Sequence, residues 1–420
     1  MNLNQLDSFQ WLSSIPVTES QKCDPASEKA DVVILGAGPA GLVLGNLLHD
    51  RGIDCTILER STRANLETRA RAGFLAPNTV RTLDRHGLAD GLKRHGEEHG
   101  SCEFRTEGGR FRLDYRELGR GEPHTVYPQQ ALVTDLLARY LDNGGRIRFE
   151  TEALAVQDAD GPEPAVTARG ADGRPTRWRA RYVAGCDGWR GAARRSLPPG
   201  AVRRHHRDHG ISWLGLLAEA PPSLDAVGYA VHPRGFAGHM ARTPEVTRYY
   251  LQCEPGTDPD SWTDERIWTE LELRMRAGEY GPLHRGPILE RTLIDLRSDV
   301  LEPLRHGSLL LAGDAASLIS PSAAKGANLA VLEAELLARA LIDALAHGDQ
   351  AGLDAYSAGC LSSIWRAQEF SHWMIRLLHG TPGADGAETL FLDALRDSRL
   401  ESLRTSRTQQ DWFAEHYVGL

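Results

Sequence analysis

From Asp31 onward the chain alternates short apolar runs with stretches of helical periodicity. DVVIL reads as a buried strand, GAGPAG as a tight turn and LVLGNLLHDRG as a helix stopped by glycine. GIDCTILER gives a second strand that ends at Glu59, and QQALVTDLLARYLDNGG gives a helix leading into RIRFE. Residues 152–183 read as short strands joined by Gly, Asp and Pro turns. Residues 209–253 are also β-rich, with ISWLGLLAEA and TRYYLQC the clearest strands. WTDERIWTELELRMRAG reads as a helix, and the apolar LLLA runs as a strand into Gly313-Asp314. After a short loop holding Pro321, a further helix is expected near Lys325-Gly326, and helical periodicity continues from there to the C-terminus. The pattern predicts an α/β fold: a Rossmann-like domain interrupted by a β-sheet domain and followed by a helical C-terminal region.

Composition narrows the classes. With 420 residues the chain is long enough for two or three domains, and 25% charged with 41% apolar residues is ordinary for a globular protein. A net charge of −9 without an aromatic-interleaved basic stripe argues against a nucleic-acid partner. No apolar run has membrane-spanning length. Residues 1–30 lack a basic start and an apolar segment, so they read as a flexible polar extension rather than a secretory signal. Six cysteines without a CxxC pair point to a reducing cytoplasm.

Gly36, Gly38 and Gly41 follow a strand and open a helix, and Glu59 ends the next strand, which is the spacing of a dinucleotide-binding motif. The glycines admit a pyrophosphate to the helix N-terminus, and the acid accepts from a ribose. An NAD dehydrogenase shares this much. The later stretch favours FAD: Asp314 at a strand end suits ribityl hydroxyls, and a helix starting near Gly326 aims its positive end at a flavin. His205, His206 and His209 lack a convergent carboxylate or cysteine and read as a solvated basic turn, not a metal site.

GAGPAG with Glu59, CDGWRGAAR (186–194) and AGDAASLISPSAAKGANLA (312–330) together resemble the 4-hydroxybenzoate 3-monooxygenase family of single-component FAD-dependent aromatic hydroxylases. TRARAGFLAPNTV, SWLGLLAEAPP, YAVHPRGFA, TRYYLQ, DSWTDERIWTEL and HYVGL extend the resemblance from Asp31 to Leu420. The resemblance implies FAD as cofactor, NADPH or NADH and O2 as co-substrates, and transfer of OH from a flavin C4a-hydroperoxide to an electron-rich ring. It implies flavin contacts from Arg60, Arg71, Gln129, Asp187, Arg248, Asp314, Lys325, Gly326, Ala327 and Asn328, and nicotinamide contacts from Arg60, Arg63, Arg69, Arg71, Arg190 and Arg297. Tyr229 and Tyr417 match a pair that relays the phenol proton, with His99 at its solvent end. Arg242 matches the carboxylate anchor and Tyr250 its helper, with Trp213, Phe74, Pro321, Gly238 and Met240 around the substrate. A homodimer and a small aromatic acid as partner are further implications. The implied domains are discontinuous: 31–98, 124–208 and 296–357 for FAD, 99–123 and 209–295 for substrate, and 358–420 helical.

Several positions depart from the family pattern. Met240 replaces a carboxylate-binding serine, Gly238 a leucine, His239 a small thiol and Phe74 a valine, while Ser320 and Ser322 flank Pro321 where Pro and Thr are usual. Ser61 and Asn65 replace two residues tied to the 2′-phosphate of NADPH, although Arg60 and Arg63 still offer cations. The altered lining points to a substituted 4-hydroxybenzoate, for example 3-amino-4-hydroxybenzoate attacked beside its carboxylate, with the plain acid as runner-up. Two other classes, a non-hydroxylating flavoprotein and a flavin-binding protein without chemistry, are disfavoured by the retained Tyr229, Tyr417 and Arg242.

Overall fold

The strand expected at Asp31 begins earlier, at Ser27, and runs to Leu35 against Pro175–Gly185 and Cys55–Leu58, both parallel to it. The computed structural model describes residues 27–68, 73–277, 282–380 and 386–419. Leu309–Leu311 and Arg146–Arg148 extend this sheet on its two sides. Glu152–Gln157 and Ala165–Arg169 hang antiparallel from the long Pro175–Gly185 strand. The register sets Leu35 beside Leu58, Leu35 beside Gly185, and Gly185 beside Leu311. Four parallel strands therefore end together, and the motifs that follow them (Gly36, Glu59, Asp187 and Asp314) are delivered to one edge. In open α/β sheets that edge is where ligands bind. The strands are buried on both faces, under the helices Pro39–His49, Gln129–Asp142 and Gly326–Ile342, which explains their unbroken apolar character.

A second eight-stranded sheet runs in the order Ser317–Leu318, Ile288–Glu302, Arg203–Ala218, Val246–Cys253, Ala237–Thr243, Val227–Ala230, Ser101–Thr106, Gly109–Asp114. Here the structure corrects two expectations. Residues 203–209 are not a basic turn but half of a 16-residue strand, with His205 opposite Val300 and His206 opposite Asp299. Its partner Ile288–Glu302 went unrecognised in the sequence. Neither segment shows apolar alternation because cross-strand ions hold them instead: buried Asp299 accepts from Arg194, Arg204 and His206. A small third sheet joins Phe74–Leu75, His124–Val126 and Glu97–His99.

One face of the second sheet covers an apolar cluster of Leu214, Leu216, Tyr249 and Leu251 under the Asp264–Met275 helix. The other faces a cluster rich in aromatic rings that includes Tyr229, Phe236, Trp213, Tyr250 and residues of the C-terminal helices Ala351–Leu378 and Arg407–Val418. Among the described residues no helix is long and apolar enough to cross a membrane, and no cluster of His, Cys, Asp and Glu could hold a metal ion.

Candidate active site

At the delivered edge, Gly36 adopts φ +94°, a left-handed conformation that glycine alone takes without strain. A Cβ on Gly41 would stand 2.0 Å from the Gly36 carbonyl oxygen, so the third glycine is required for helix and strand to pack. A Cβ on Gly38 would meet nothing within 4 Å. The second glycine thus borders open space at the N-terminus of Pro39–His49, where free N–H groups favour an anion. Glu59 is buried and accepts from the Ala37 N–H and the Ser61 N–H, both at 2.8 Å. Those bonds orient the carboxylate, whose remaining lone pairs are available to a diol. Asp187 accepts from the Ala193 N–H through one oxygen, while the other is buried without a partner. Burial raises its pKa. A hydroxyl donor at that oxygen would relieve the deficit.

Asp314 lies half-buried in a short 3-10 turn directly after Leu309–Leu311. The preceding Gly313 N–H donates 2.6 Å to Glu333, a fully buried carboxyl on the Gly326–Ile342 helix. Burial, and then the Asp314 charge, push Glu333 up to about 8. Gly326 and Ala327 open that helix, and Asn328 in its first turn accepts from Ala76 N–H and donates to the carbonyls of Phe74 and Ala324. This sews the Phe74 strand to the helix start. Lys325, 2% exposed, donates 2.8 Å to the Tyr417 carbonyl and also bonds the Gly419 carbonyl. Burial lowers its pKa to about 7. Gln129 begins the Gln129–Asp142 helix and Arg248 is buried on Val246–Cys253. Arg248 leaves Nε and Nη1 unpartnered, 5.5 Å above the Tyr250 ring. An orphaned carboxylate oxygen, an orphaned guanidinium and an open glycine turn are donors and acceptors matched to a flavin dinucleotide. FAD fits.

The second sheet then builds the pocket by registry alone. Tyr229 lies opposite Gly238, Gly238 opposite Tyr250, and Tyr250 opposite Gly215. Residues directly opposite share a face, as do those two apart on a strand. Phe236, Met240, Arg248 and Trp213 therefore join Tyr229 and Tyr250 on that face, with Gly238, which has no side chain, between the two tyrosines. His239 points the other way, where it accepts from Ser223 N–H and meets the Tyr249 ring edge-on. The expectation that it alters the pocket lining is corrected by this alternation. The Gly238 substitution also opens no room, because a Cβ there would lie 2.9 Å from the Phe236 ring and 3.2 Å from Tyr250.

Arg242, 8% exposed, donates 2.9 Å to Gln130. Burial first, and the neighbouring Arg248 second, lower its pKa. An anion placed between two buried guanidiniums reverses both penalties. Trp213 donates 2.7 Å to Nε2 of His379, whose Nδ1 faces the Ile375 carbonyl. Phe74 packs on His124 at 4.5 Å. Pro321 starts a 3-10 turn in which the hydroxyls of Ser320 and Ser322 bond each other, and Ser322 also bonds Ser371. Ser322 is thereby turned to the Ala351–Leu378 helix, while the Ser320 hydroxyl stays within its own turn, accepting from the Ser322 N–H.

Tyr229 and Tyr417 are hydrogen-bonded hydroxyl to hydroxyl at 2.7 Å. Burial raises both pKa values, so neither phenol holds a charge at neutral pH. His99 is partly exposed and directly opposite His124, with its pKa lowered by burial. The arginines expected to meet the nicotinamide are dispersed. Arg60 lines an open cavity with Ser61 and Asn65, Arg63 pairs with Glu67, Arg190 lies over Trp189, and Arg297 pairs with Asp208 and Asp295. Arg69 and Arg71 lie outside the described residues.

Sequence reasoning passed over Gln130, Glu333, His379 and His124. Only the adjacency of Gln130 to Gln129 offered a signal.

A model of the FAD binding domain family matches residues 29–371. The chain is thus an FAD-dependent aromatic hydroxylase, a monooxygenase class that draws on NAD(P)H and O2. It is 36% identical to a p-hydroxybenzoate hydroxylase of Acinetobacter baylyi over 392 residues, 93% of this chain and 96% of that protein. It is 28% identical to a 3-amino-4-hydroxybenzoate 2-monooxygenase of Streptomyces platensis over 335 residues, 74% of this chain and 80% of that one. The fold matches that of p-nitrophenol 4-monooxygenase from Pseudomonas putida at a TM-score of 0.78, covering 94% and 99% of the two chains at 19% identity. The chain belongs to the hydroxybenzoate monooxygenase family.

Proposed function

We propose that this enzyme hydroxylates a 4-hydroxybenzoate-type acid at a ring carbon activated by the phenol oxygen, with NADPH as reductant. The observation that carries the reading is the Tyr229–Tyr417 hydroxyl pair together with Arg242, which neighbours Arg248 and Tyr250. Arg242 lies four residues beyond Gly238, the residue opposite Tyr229, just where the ladder is interrupted between Ala241 and Thr243. A guanidinium beside Tyr250 and a phenol pair at Tyr229 suit a ring bearing a carboxylate and a para hydroxyl. Arg242, held by Gln130, takes the carboxylate in a charge-assisted pair, and Tyr250 stands beside it. Tyr229 receives the phenol hydrogen bond and passes a proton to Tyr417 as the phenol ionises, and the ionised oxygen enriches the ring carbons beside it. The bound flavin supplies two-electron reduction by the nicotinamide and activation of O2. Trp213, Phe236 and Phe74, all buried, keep water from the ring.

The plain acid is favoured over its 3-amino derivative because Gly238 gives no added space, and the 36% relative supports that choice. The amino acid is the second reading. It rests on Met240, which offers a soft, hydrogen-bond-free surface beside Arg242, and on the 28% relative. For the reductant, Arg60 beside the open cavity supports NADPH.

The test is turnover of the FAD-loaded enzyme with each acid and each nicotinamide, following labelled O2 into product. Hydroxylated plain acid coupled to NADPH oxidation is expected. Tyr229→Phe should retain FAD and divert turnover to hydrogen peroxide. Nicotinamide oxidation that neither acid stimulates would overturn the reading.

A further inference from the structure

The tyrosine pair cannot store the proton it receives: two buried phenols with raised pKa values only hand it on. His99 is partly exposed and able to reach solvent, but no hydrogen bond joins it to Tyr417 among those the structure shows. The residue between them is His124. Its imidazole is 2% exposed, and its ring meets the Tyr417 ring edge-on at 5.0 Å. It lies directly across the strand pair from His99. One side of the ring is drawn to the Tyr417 backbone carbonyl. Its Nδ1 is buried with no hydrogen-bond partner, a vacancy that costs about 1–3 kcal/mol in a merely structural residue. Nothing in the packing of Phe74 or Tyr115 around the ring needs a nitrogen there.

We propose that His124 is the relay residue connecting Tyr417 to His99, with Nδ1 as the proton's point of entry. This rests on the relay reading above. In the step, the substrate O–H bond breaks and its proton forms a new O–H on Tyr229. Tyr229 gives its own proton to Tyr417, and Tyr417 gives its own to Nδ1 of His124. The imidazolium then releases one proton toward His99 and solvent. Both tyrosines end as neutral phenols and His124 as a neutral imidazole with its ring proton moved to Nδ1, and the phenolate is the one net product besides the released proton.

The groups facing His124 favour passage over storage. Burial first, then Lys325, which precedes the Gly326–Ile342 helix, and His99 disfavour a lasting positive charge. Tyr417 and Tyr115 face it as neutral phenols. His99 itself is flanked by Glu97, Arg116 and Asp225, with the two carboxylates favouring its charged form.

The test uses the FAD-loaded enzyme with 4-hydroxybenzoate, measuring by stopped flow the pH profile and solvent isotope effect of substrate-stimulated flavin reduction. His124→Asn keeps an acceptor near Nδ1 but accepts no proton at neutral pH, and His124→Phe removes the acceptor while filling the space. Tyr229→Phe serves as the reference for relay loss. We expect the Asn variant to lose about 10–100-fold at pH 7 with FAD affinity unchanged, and to regain much of it at high pH, where hydroxide substitutes for the base. The Phe variant should match it. Should the Asn variant not fold, the Phe variant alone carries the comparison. If Tyr229→Phe is impaired while the His124 variants keep the parent profile and isotope effect, His124 is no relay residue. If Tyr229→Phe is itself unimpaired, the relay reading falls and this proposal with it.

Discussion

Gly38 and Gly41 stand three residues apart in one turn, yet their replacement by alanine should fail in opposite ways. Gly38 has φ −75° and ψ −177°, which alanine adopts freely, and a Cβ there meets no protein atom within 4 Å. Reduced freedom of the unfolded chain favours alanine by about 0.4–1 kcal/mol. FAD-free Gly38→Ala should therefore be as stable as the parent or slightly more so. The methyl instead fills space the pyrophosphate needs in order to reach the helix N–H groups. Loss of two charge-assisted hydrogen bonds at about 1.5–3 kcal/mol each weakens FAD binding by roughly 10²–10⁴-fold. At Gly41 the new Cβ lies 2.0 Å from a backbone oxygen, which no side-chain adjustment can relieve. Overpacking of that kind costs about 1–3 kcal/mol, so the FAD-free protein itself loses stability. Circular-dichroism melts of the FAD-free variants and flavin-fluorescence titrations separate the two effects. FAD binding by Gly38→Ala within about threefold of the parent would refute the reasoning, because bonds of this kind are worth more than tenfold. So would a melt that falls as far as that of Gly41→Ala.

Arg242→Met should weaken 4-hydroxybenzoate about 10–100-fold at unchanged FAD content, and Gln130→Ala several-fold less, since it removes only a neutral support. Equilibrium titration against phenol, which lacks the carboxylate, checks this; equal losses for both ligands would contradict the anchor. Glu333 has a folded pKa of about 8 against an ordinary 4.5, raised by burial and by Asp314. A raised folded value means stability fully present below pH 4.5 and lost as pH climbs through 8. Urea unfolding of the FAD-free protein should therefore show stability falling over that window, and Glu333→Gln should flatten the fall. An unchanged slope in the variant would assign the effect elsewhere.

The nucleotide half of the site was legible because its chemistry follows the chain. Strand, glycine turn, helix and acid are local, and parallel pairing then brings Gly36, Glu59, Asp187 and Asp314 to one edge. The substrate half depends on pairings between distant strands. Tyr229 meets Tyr417 across 188 residues, and Asn328 reaches Ala76 across 252. Family resemblance proposed the first pair, while periodicity showed neither. The Arg203–Ala218 strand was missed in its first half for a physical reason: ion pairs through Asp299, not apolar alternation, hold its polar residues in the ladder. His239 shows the reverse error. Adjacency to Met240 in sequence suggested a shared pocket, but period-two alternation puts the two side chains on opposite faces.

The departures at Gly238 and Met240 in the ring pocket bear on how such an enzyme changes its diet. At position 238 an added carbon would lie 2.9 Å from the Phe236 ring and 3.2 Å from Tyr250, so a larger residue there requires those rings to shift with it. Met240, unbranched and only partly buried, has three torsions with which to accommodate a different ring decoration. Adaptation to new aromatic acids in this lineage should therefore run through residue 240, and selection for altered scope should recover changes there before it recovers any at 238.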